Sequence, residues 1–360
     1  MLTFERYLTW LTLAALPVTS SAYSYEVLDL TPILGASAVP KSFGNSGGLL
    51  VERNNQNLYW RAGLGLTQIP NPAGGIVVRV NGVNAHDEVA GVLQTSVNGD
   101  RRQTTFLWNP TTGFQFIGPS LDAVDNNMEI RGVTDAGDVL VDYFGYGNQP
   151  RRGYVLHRDG TARPLVTPVG LIVDRLVGLN ASGDIVGVTR ANYSGDPIER
   201  AIGWNVAENF LDYGSLGVDS RPVTVNADGT VLLTGSDIWN TQHHYIQRRD
   251  GTRLFTGLVR AGDLNDSQEV VGLRYEGNVP RGVIWRHDTG GINLDSLIDP
   301  SAGWQVQDAS FINDSGQIVA WATRGGASGY VLLSPVPEPS TAACLLIGVA
   351  ALVRKRRKEM

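Results

Sequence analysis

A pattern of one apolar residue, asparagine, two small or polar residues, glycine, one polar residue and an apolar run recurs along the chain. Its clearest copies are Leu179-Asn180-Ala181-Ser182-Gly183-Asp184-Ile185-Val186-Gly187 and Ile312-Asn313-Asp314-Ser315-Gly316-Gln317-Ile318-Val319. Looser copies begin at Val83, Val133, Val225 and Leu264, and a degenerate one at Phe43. The starts lie 40, 50, 46, 46, 39 and 48 residues apart. Each copy reads as strand, tight turn, strand, because Asn and Gly tolerate left-handed backbone and the flanking β-branched residues suit a ladder.

Between 15 and 23 residues after the start of each copy comes an aromatic or apolar strand. These are Leu58-Tyr59-Trp60, Phe106-Leu107-Trp108, Tyr154-Val155-Leu156, Ile202-Gly203-Trp204, Tyr245-Ile246-Gln247, Val283-Ile284-Trp285 and Tyr330-Val331-Leu332. Most lead into a turn and a fourth short strand, such as Phe114-Gln115-Phe116-Ile117 or Arg253-Leu254-Phe255. Four strands in each repeating unit is the make-up of a propeller blade. The last unit lacks its fourth strand, whereas Tyr25-Glu26-Val27-Leu28-Asp29-Leu30 has the form of a fourth strand without a blade. The expected fold is therefore all-β, a seven-bladed β-propeller closed by its N-terminal strand, with Tyr25 to Leu30 paired beside Tyr330 to Leu333. An open β-solenoid is the alternative.

Composition agrees. The chain has 360 residues, 43 Gly and 17 Pro, and only 18% charged residues, which favours turns over long helices. Without residues 1–22 and 336–360 the body keeps 23 basic against 32 acidic residues. This balance argues against a nucleic-acid or anionic-lipid surface, since both need clustered positive charge. The single cysteine, Cys344, lies near the C-terminus, so the body must be stabilised by packing alone.

The two ends read as addresses. Residues 1–22 have the form of a signal peptide with a short apolar core, Leu8 to Leu16, and small residues before an expected cleavage between Ala22 and Tyr23. The domain expected over 23–335 is the propeller. The tail, 336–360, carries Pro337-Glu338-Pro339, an apolar stretch from Thr341 to Val353, and the basic block Arg354, Lys355, Arg356, Arg357 and Lys358. Paired prolines keep the first part extended. The apolar part predicts a short transmembrane helix, and the basic block holds its end on the cytoplasmic side. In order and wording the tail resembles the PEP-CTERM sorting signal of Gram-negative bacteria. That resemblance implies an exosortase as partner, transient anchoring in the inner membrane, and delivery to the cell surface or an exopolysaccharide matrix. An ordinary membrane anchor is the alternative. The body repeats resemble HAF repeats, which implies a β-rich exported protein and transfers no catalytic residue.

Candidate chemistry is sparse. Gly44-Asn45-Ser46-Gly47-Gly48 fits the G-x-S-x-G pattern, but the apolar run after it predicts a strand where a nucleophile elbow needs a helix. His86, His157 and His287 lie in different units, His243-His244 is the only local pair, and none is at metal-ligand spacing. The acidic turns Asn180 to Asp184 and Asp135 to Asp142 suit turn chemistry better than calcium loops, since Ala191 stands where an EF-hand needs Glu. Trp60, Trp108, Trp204 and Trp285 recur at one position and predict core packing. Trp239, Trp304 and Trp321, with Tyr143, Tyr146 and Tyr193, form a sugar-stacking surface if they share a face. No catalytic, metal or cofactor residue is expected. The first reading is a non-enzymatic envelope or matrix protein whose propeller binds polysaccharide or another envelope protein. The alternatives are a polysaccharide lyase or hydrolase with its site at the propeller axis, and a structural protein with no specific ligand.

Overall fold

A computed structural model describes residues 24–118, 127–144, 152–191, 198–207, 209–237, 239 and 241–336. Seven four-stranded antiparallel sheets follow one another around a shared axis. Their innermost strands are Val39–Phe43, Gly75–Val83, Asn127–Val133, Ile172–Leu179, Asp219–Val225, Arg260–Leu264 and Gln305–Ile312, which define blades 1 to 7. In blades 1 to 6 the strands run outward in chain order. Blade 7 takes its outermost strand from the other end of the chain: Tyr25–Asp29 pairs with Ala327–Pro335, placing Leu28 opposite Leu332 and Asp29 opposite Val331. The Leu30 N–H then donates to the Tyr330 carbonyl at 3.0 Å. The ring is closed as the repeat pattern implied, and the open solenoid is excluded. No strand edge around the ring is left unpaired by the junction.

Local chemistry explains the elements. In the repeat turn, Gly47, Gly137, Gly183, Gly229 and Gly316 have φ between +76° and +100°, a left-handed region that glycine enters without a Cβ clash. Asp87 and Gln268 stand at the same place in blades 2 and 6, with φ of 61° and 58°. The recurrent tryptophans Trp60, Trp108, Trp204 and Trp285 are 2–6% exposed. They fill the seams between neighbouring blades: Trp60, with Leu49 and Val51, packs against Val319 and Leu332 of blade 7. Truncating such a residue to Ala costs about 3–5 kcal/mol.

Every innermost strand contains a β-bulge at the same distance before its turn, with register shifts across Pro40/Ser42, Val80/Val83, Ile130/Gly132, Leu176/Gly178, Pro222/Thr224, Ala261/Asp263 and Ala309/Phe311. A bulge bends a strand and re-aims its side chains, which seven strands converging on one axis require. Convergence also demands small residues. A Cβ on Gly132 would lie 2.5 Å from the Leu179 side chain of the next blade.

Among the described residues no helix is long and apolar enough to cross a membrane, and the helical content is one turn, Thr31–Leu34, with two short 3-10 segments. The expected signal helix (1–22) and tail helix lie outside the described residues.

Candidate functional site: the two mouths of the axis

The mouth formed by the repeat turns is a belt of hydrogen bonds. Asn84, Asn180, Asn226, Asn265 and Asn313 are 1–5% exposed. Each Oδ1 accepts from the backbone N–H four residues on, that of Glu88, Asp184, Thr230, Glu269 or Gln317. Each Nδ2 donates to the matching carbonyl of the next blade: Thr134 (3.1 Å), Asn226 (2.6 Å), Asn265 (3.1 Å), Asn313 (3.3 Å) and Gly44 (3.5 Å). One residue further, the backbone N–H groups of Ala85, Ala227 and Asp266 donate to carboxylates of Asp135, Asp266 and Asp314 in the next blade. The repeat asparagine thus caps its own turn and ties its blade to the following one. Burial and the neighbouring Asp266 charge push the Asp314 carboxyl above its usual range.

Behind this belt lies an axial channel of about 320 Å³, lined by residues of all seven blades. Gly82, Gly132, Gly178, Ser42 and Thr224 keep its wall thin. Asp263 is the titratable exception in this ring. Burial pushes its carboxyl up to about 7, helped by the Asp314 charge, against the N–H donors of Leu264 (2.9 Å) and Ile312 (3.2 Å) that favour the ionised form.

The opposite mouth is lined by cations at fixed spacing. Five residues before the repeat asparagine stand Arg79, Arg175, Arg221 and Arg260. Blades 1 and 3 supply Lys41 and Arg131 from their bulges instead. Most of these charges are matched. Lys41 pairs with Glu52 at 2.8 Å, Arg131 with Glu129 and Asp142, Arg260 with Asp308, and Arg175 and Arg221 converge with Arg190 on the buried Glu199. Arg79 differs: its Nη1 donates to the Met128 carbonyl at 3.1 Å, and among the described residues it meets no carboxylate. At this mouth a groove of about 590 Å³ runs across blades 1 to 3, between Lys41, Glu52, Asn55, Arg79, Glu129 and Arg131. It shares Lys41, Asn81 and Arg131 with the axial channel.

Residues singled out in the sequence are scattered. Ser46 sits in the blade 1 turn, its Oγ accepting from the Gly48 N–H at 3.2 Å, and the strand Leu49–Arg53 follows where an elbow needs a helix. His244 is buried, bonded to Thr234 Oγ1 (2.8 Å) and the Val259 carbonyl (3.1 Å), and burial holds its imidazole below the usual range. His157 faces Asp138, His243 faces Asp237 and His287 lies against Trp285. Among the described residues no three His, Cys, Asp or Glu groups could hold a metal ion. The turn carboxylate Asp184 is committed to Asn180, the Val206 N–H and Arg249. Trp304 is buried under the Arg324 guanidinium and Trp321 packs on Tyr330, both in blade 7, whereas Trp239 is 80% exposed in blade 5. These tryptophans build no common surface, and Tyr146 and Tyr193 lie outside the described residues, as do Ala22, Tyr23, Pro337, Glu338, Pro339 and Arg354 to Lys358. The arginines at the second mouth were the missed residues. Their signal is in the sequence, as arginine five positions before asparagine in four of the repeats.

No family model matches the chain, and no curated protein matches it in sequence. Solved structures do. A puromycin-hydrolyzing peptidase of Mycobacterium tuberculosis aligns over 88% of this chain and 56% of its own length, at 11% identity and a TM-score of 0.51. A puromycin hydrolase aligns over 86% of this chain and 54% of its own, at 14% identity and a TM-score of 0.50. An acylaminoacyl peptidase of Pyrococcus horikoshii aligns over 73% and 46%, at 12% identity and 0.47. The chain spans about half the length of each. At such identities the likeness establishes the propeller fold alone. It does correct one expectation: the fold is shared with enzymes, so the reading of this chain as a non-enzyme is withdrawn.

Proposed function

We propose that this chain is an exported cell-envelope or extracellular-matrix protein, sorted through its tail by an exosortase, whose propeller binds a polar ligand at the arginine-lined mouth of its axis. The observation that carries the binding role is the groove of about 590 Å³ across blades 1 to 3. It is open and polar, and it sits at the end of the axis that the hydrogen-bond belt does not occupy. Concave sites with a few convergent polar groups are where folds of this kind take ligands. Export is supported by the succession of Pro337-Glu338-Pro339, an apolar stretch and a basic block in the tail sequence, and by a propeller sequence without cysteine. The test uses the protein in its native host. Full-length protein should fractionate with the envelope or the medium, and isolated exopolysaccharide or envelope material should retain it. A cytoplasmic location, or no retention by either material, overturns the reading.

One observation favours a second reading, cleavage of a bound polysaccharide. Glu52 and Glu129 share the groove with Lys41, Arg79 and Arg131. Carboxylates beside cations are the residue types that general acid–base chemistry on a glycosidic bond uses. Incubation with the retained polymer decides it: new chain ends that vanish in both Glu52→Gln and Glu129→Gln establish cleavage, and unchanged polymer length excludes it.

A further inference from the structure

We infer that the groove across blades 1 to 3 takes a carboxylate-bearing glycan, a stretch of uronic-acid units, and that Arg79 is the partner of its carboxylate; this rests on the binding role proposed above. The argument starts from unmet donors. A guanidinium offers five N–H groups in a planar fork that matches a carboxylate edge. Arg79 spends one on the Met128 carbonyl, and no described carboxylate meets the rest. Its counterparts Arg175, Arg221 and Arg260 all have acidic partners. In the same groove Arg131 keeps its Nε buried without an acceptor. A half-buried cation without an anion is a standing electrostatic demand, and an incoming carboxylate meets it without breaking an existing ion pair.

The rest of the lining selects the kind of anion. Asn55, Asn57 and Asn81 present amides, each both donor and acceptor, which suits sugar hydroxyls. Asn54 and Asn55 form a tight turn with φ of 50° and 60° at the groove edge, so that amide is held by a rigid hairpin. The apolar residues present are Val77, Val78, Val80 and Ile130, and the described lining holds no aromatic side chain that would anchor a peptide. Glu52 and Glu129 limit the net positive charge of the groove, and the acidic body disfavours a polymer more highly charged than one carboxylate per sugar, such as a sulfated or phosphorylated chain. The ligand chemistry that fits is one carboxylate per sugar, spaced by hydroxyls, along an open groove.

The probe is polygalacturonate, compared by calorimetry with its fully methyl-esterified form, neutral dextran and polyglutamate, using full-length protein. Polygalacturonate should bind, with affinity falling as salt rises, and esterification should weaken it at least tenfold. Arg79→Gln should lose tenfold or more at an unchanged melting temperature, Arg79→Lys should lose less, and Arg248→Gln, outside the groove, should behave as the parent. Equal binding of the esterified polymer, tighter binding of polyglutamate, or an Arg79→Gln variant that folds and binds normally overturns the inference. If dextran binds and Arg79 is irrelevant, the inference fails while the binding role stands. If host envelope material and every polymer fail alike, the binding role itself falls.

Discussion

A buried amide that serves two blades at once sets the residue scale of this protein. Asn226 is 4% exposed; its Oδ1 holds the Thr230 N–H and its Nδ2 the Asn265 carbonyl. Asn226→Ala removes both bonds, while the Thr230 N–H keeps Asp228 Oδ1 (2.8 Å) and the Asn265 carbonyl keeps the Gln268 N–H (3.0 Å), so each lost bond costs about 0.5–1.5 kcal/mol. Equilibrium unfolding should show a loss of about 1–3 kcal/mol, whereas Asn45→Ala, at the exposed degenerate copy, should lose under about 1 kcal/mol. Asp263 supplies a pH effect whose sign is fixed by its environment. Its folded carboxyl, pushed up to about 7 from 3.8, keeps a proton that the unfolded chain has released. The contribution of neutral Asp263 is therefore intact below about pH 4, lost progressively as pH rises, and gone above about pH 7. The slope for one proton is at most about 1.4 kcal/mol per pH unit. Urea unfolding at pH 5 and pH 8 should show that Asp263→Asn narrows the difference between the two; an identical difference in parent and variant refutes this.

At the scale of elements, Tyr25–Asp29 is the piece whose removal is most informative. It supplies the fourth strand of blade 7, buries Tyr25 and Leu30, and contributes Val27 to the packing around Ile318 and Val331. Deleting residues 24–30 opens the ring, exposing an edge along Ala327–Pro335. The loss is at least that of two buried side chains, about 3–5 kcal/mol. In a domain of this size that lowers the melting temperature by more than about 5 °C, and an unchanged value would mean that the ring does not need its clasp. This strand was legible because strand identity depends on alternation within five residues and on a gap in a repeat, both local in sequence. The seven turns and the recurrent tryptophans were legible for the same reason. The bulges at Lys41, Arg131 and Val177 were not, since they answer to the crowding of seven strands at an axis. The groove was hidden too: Asn55, Arg79 and Glu129 sit in three blades, and only closure brings them to one mouth. The crowding at Gly82 and Gly132 was hidden as well: a Cβ on Gly82 would lie 3.1 Å from the Gly132 backbone, and one on Gly132 2.5 Å from the Leu179 side chain.

On the scale of the whole molecule, the propeller and the tail make separate claims on the cell, and the tail can be tested without knowing the ligand. Val336 still belongs to the ring, its N–H bonded to the Ser24 carbonyl at 2.9 Å. Pro337 follows directly in sequence, and paired prolines around Glu338 disfavour a helix there. A cut near Pro337-Glu338-Pro339 would release a ring with all seven blades intact. The thirteen apolar residues from Thr341 to Val353 span roughly 20 Å as a helix, against ~30 Å of hydrocarbon. In the proposed sorting such an anchor is short and would lean on Arg354 to Lys358, whose charges would stay on the cytoplasmic side. Two outcomes follow from the proposed sorting. Mass spectrometry of protein recovered from the envelope or medium of an exosortase-bearing host should find the body without residues 345–358. Neutralising Arg354 to Lys358 should lower the processed fraction, because the segment then slips through the membrane before it is cut. Recovery of the intact tail would make it a permanent anchor, and normal processing of the neutral variant would show that the basic block is not what positions the cut.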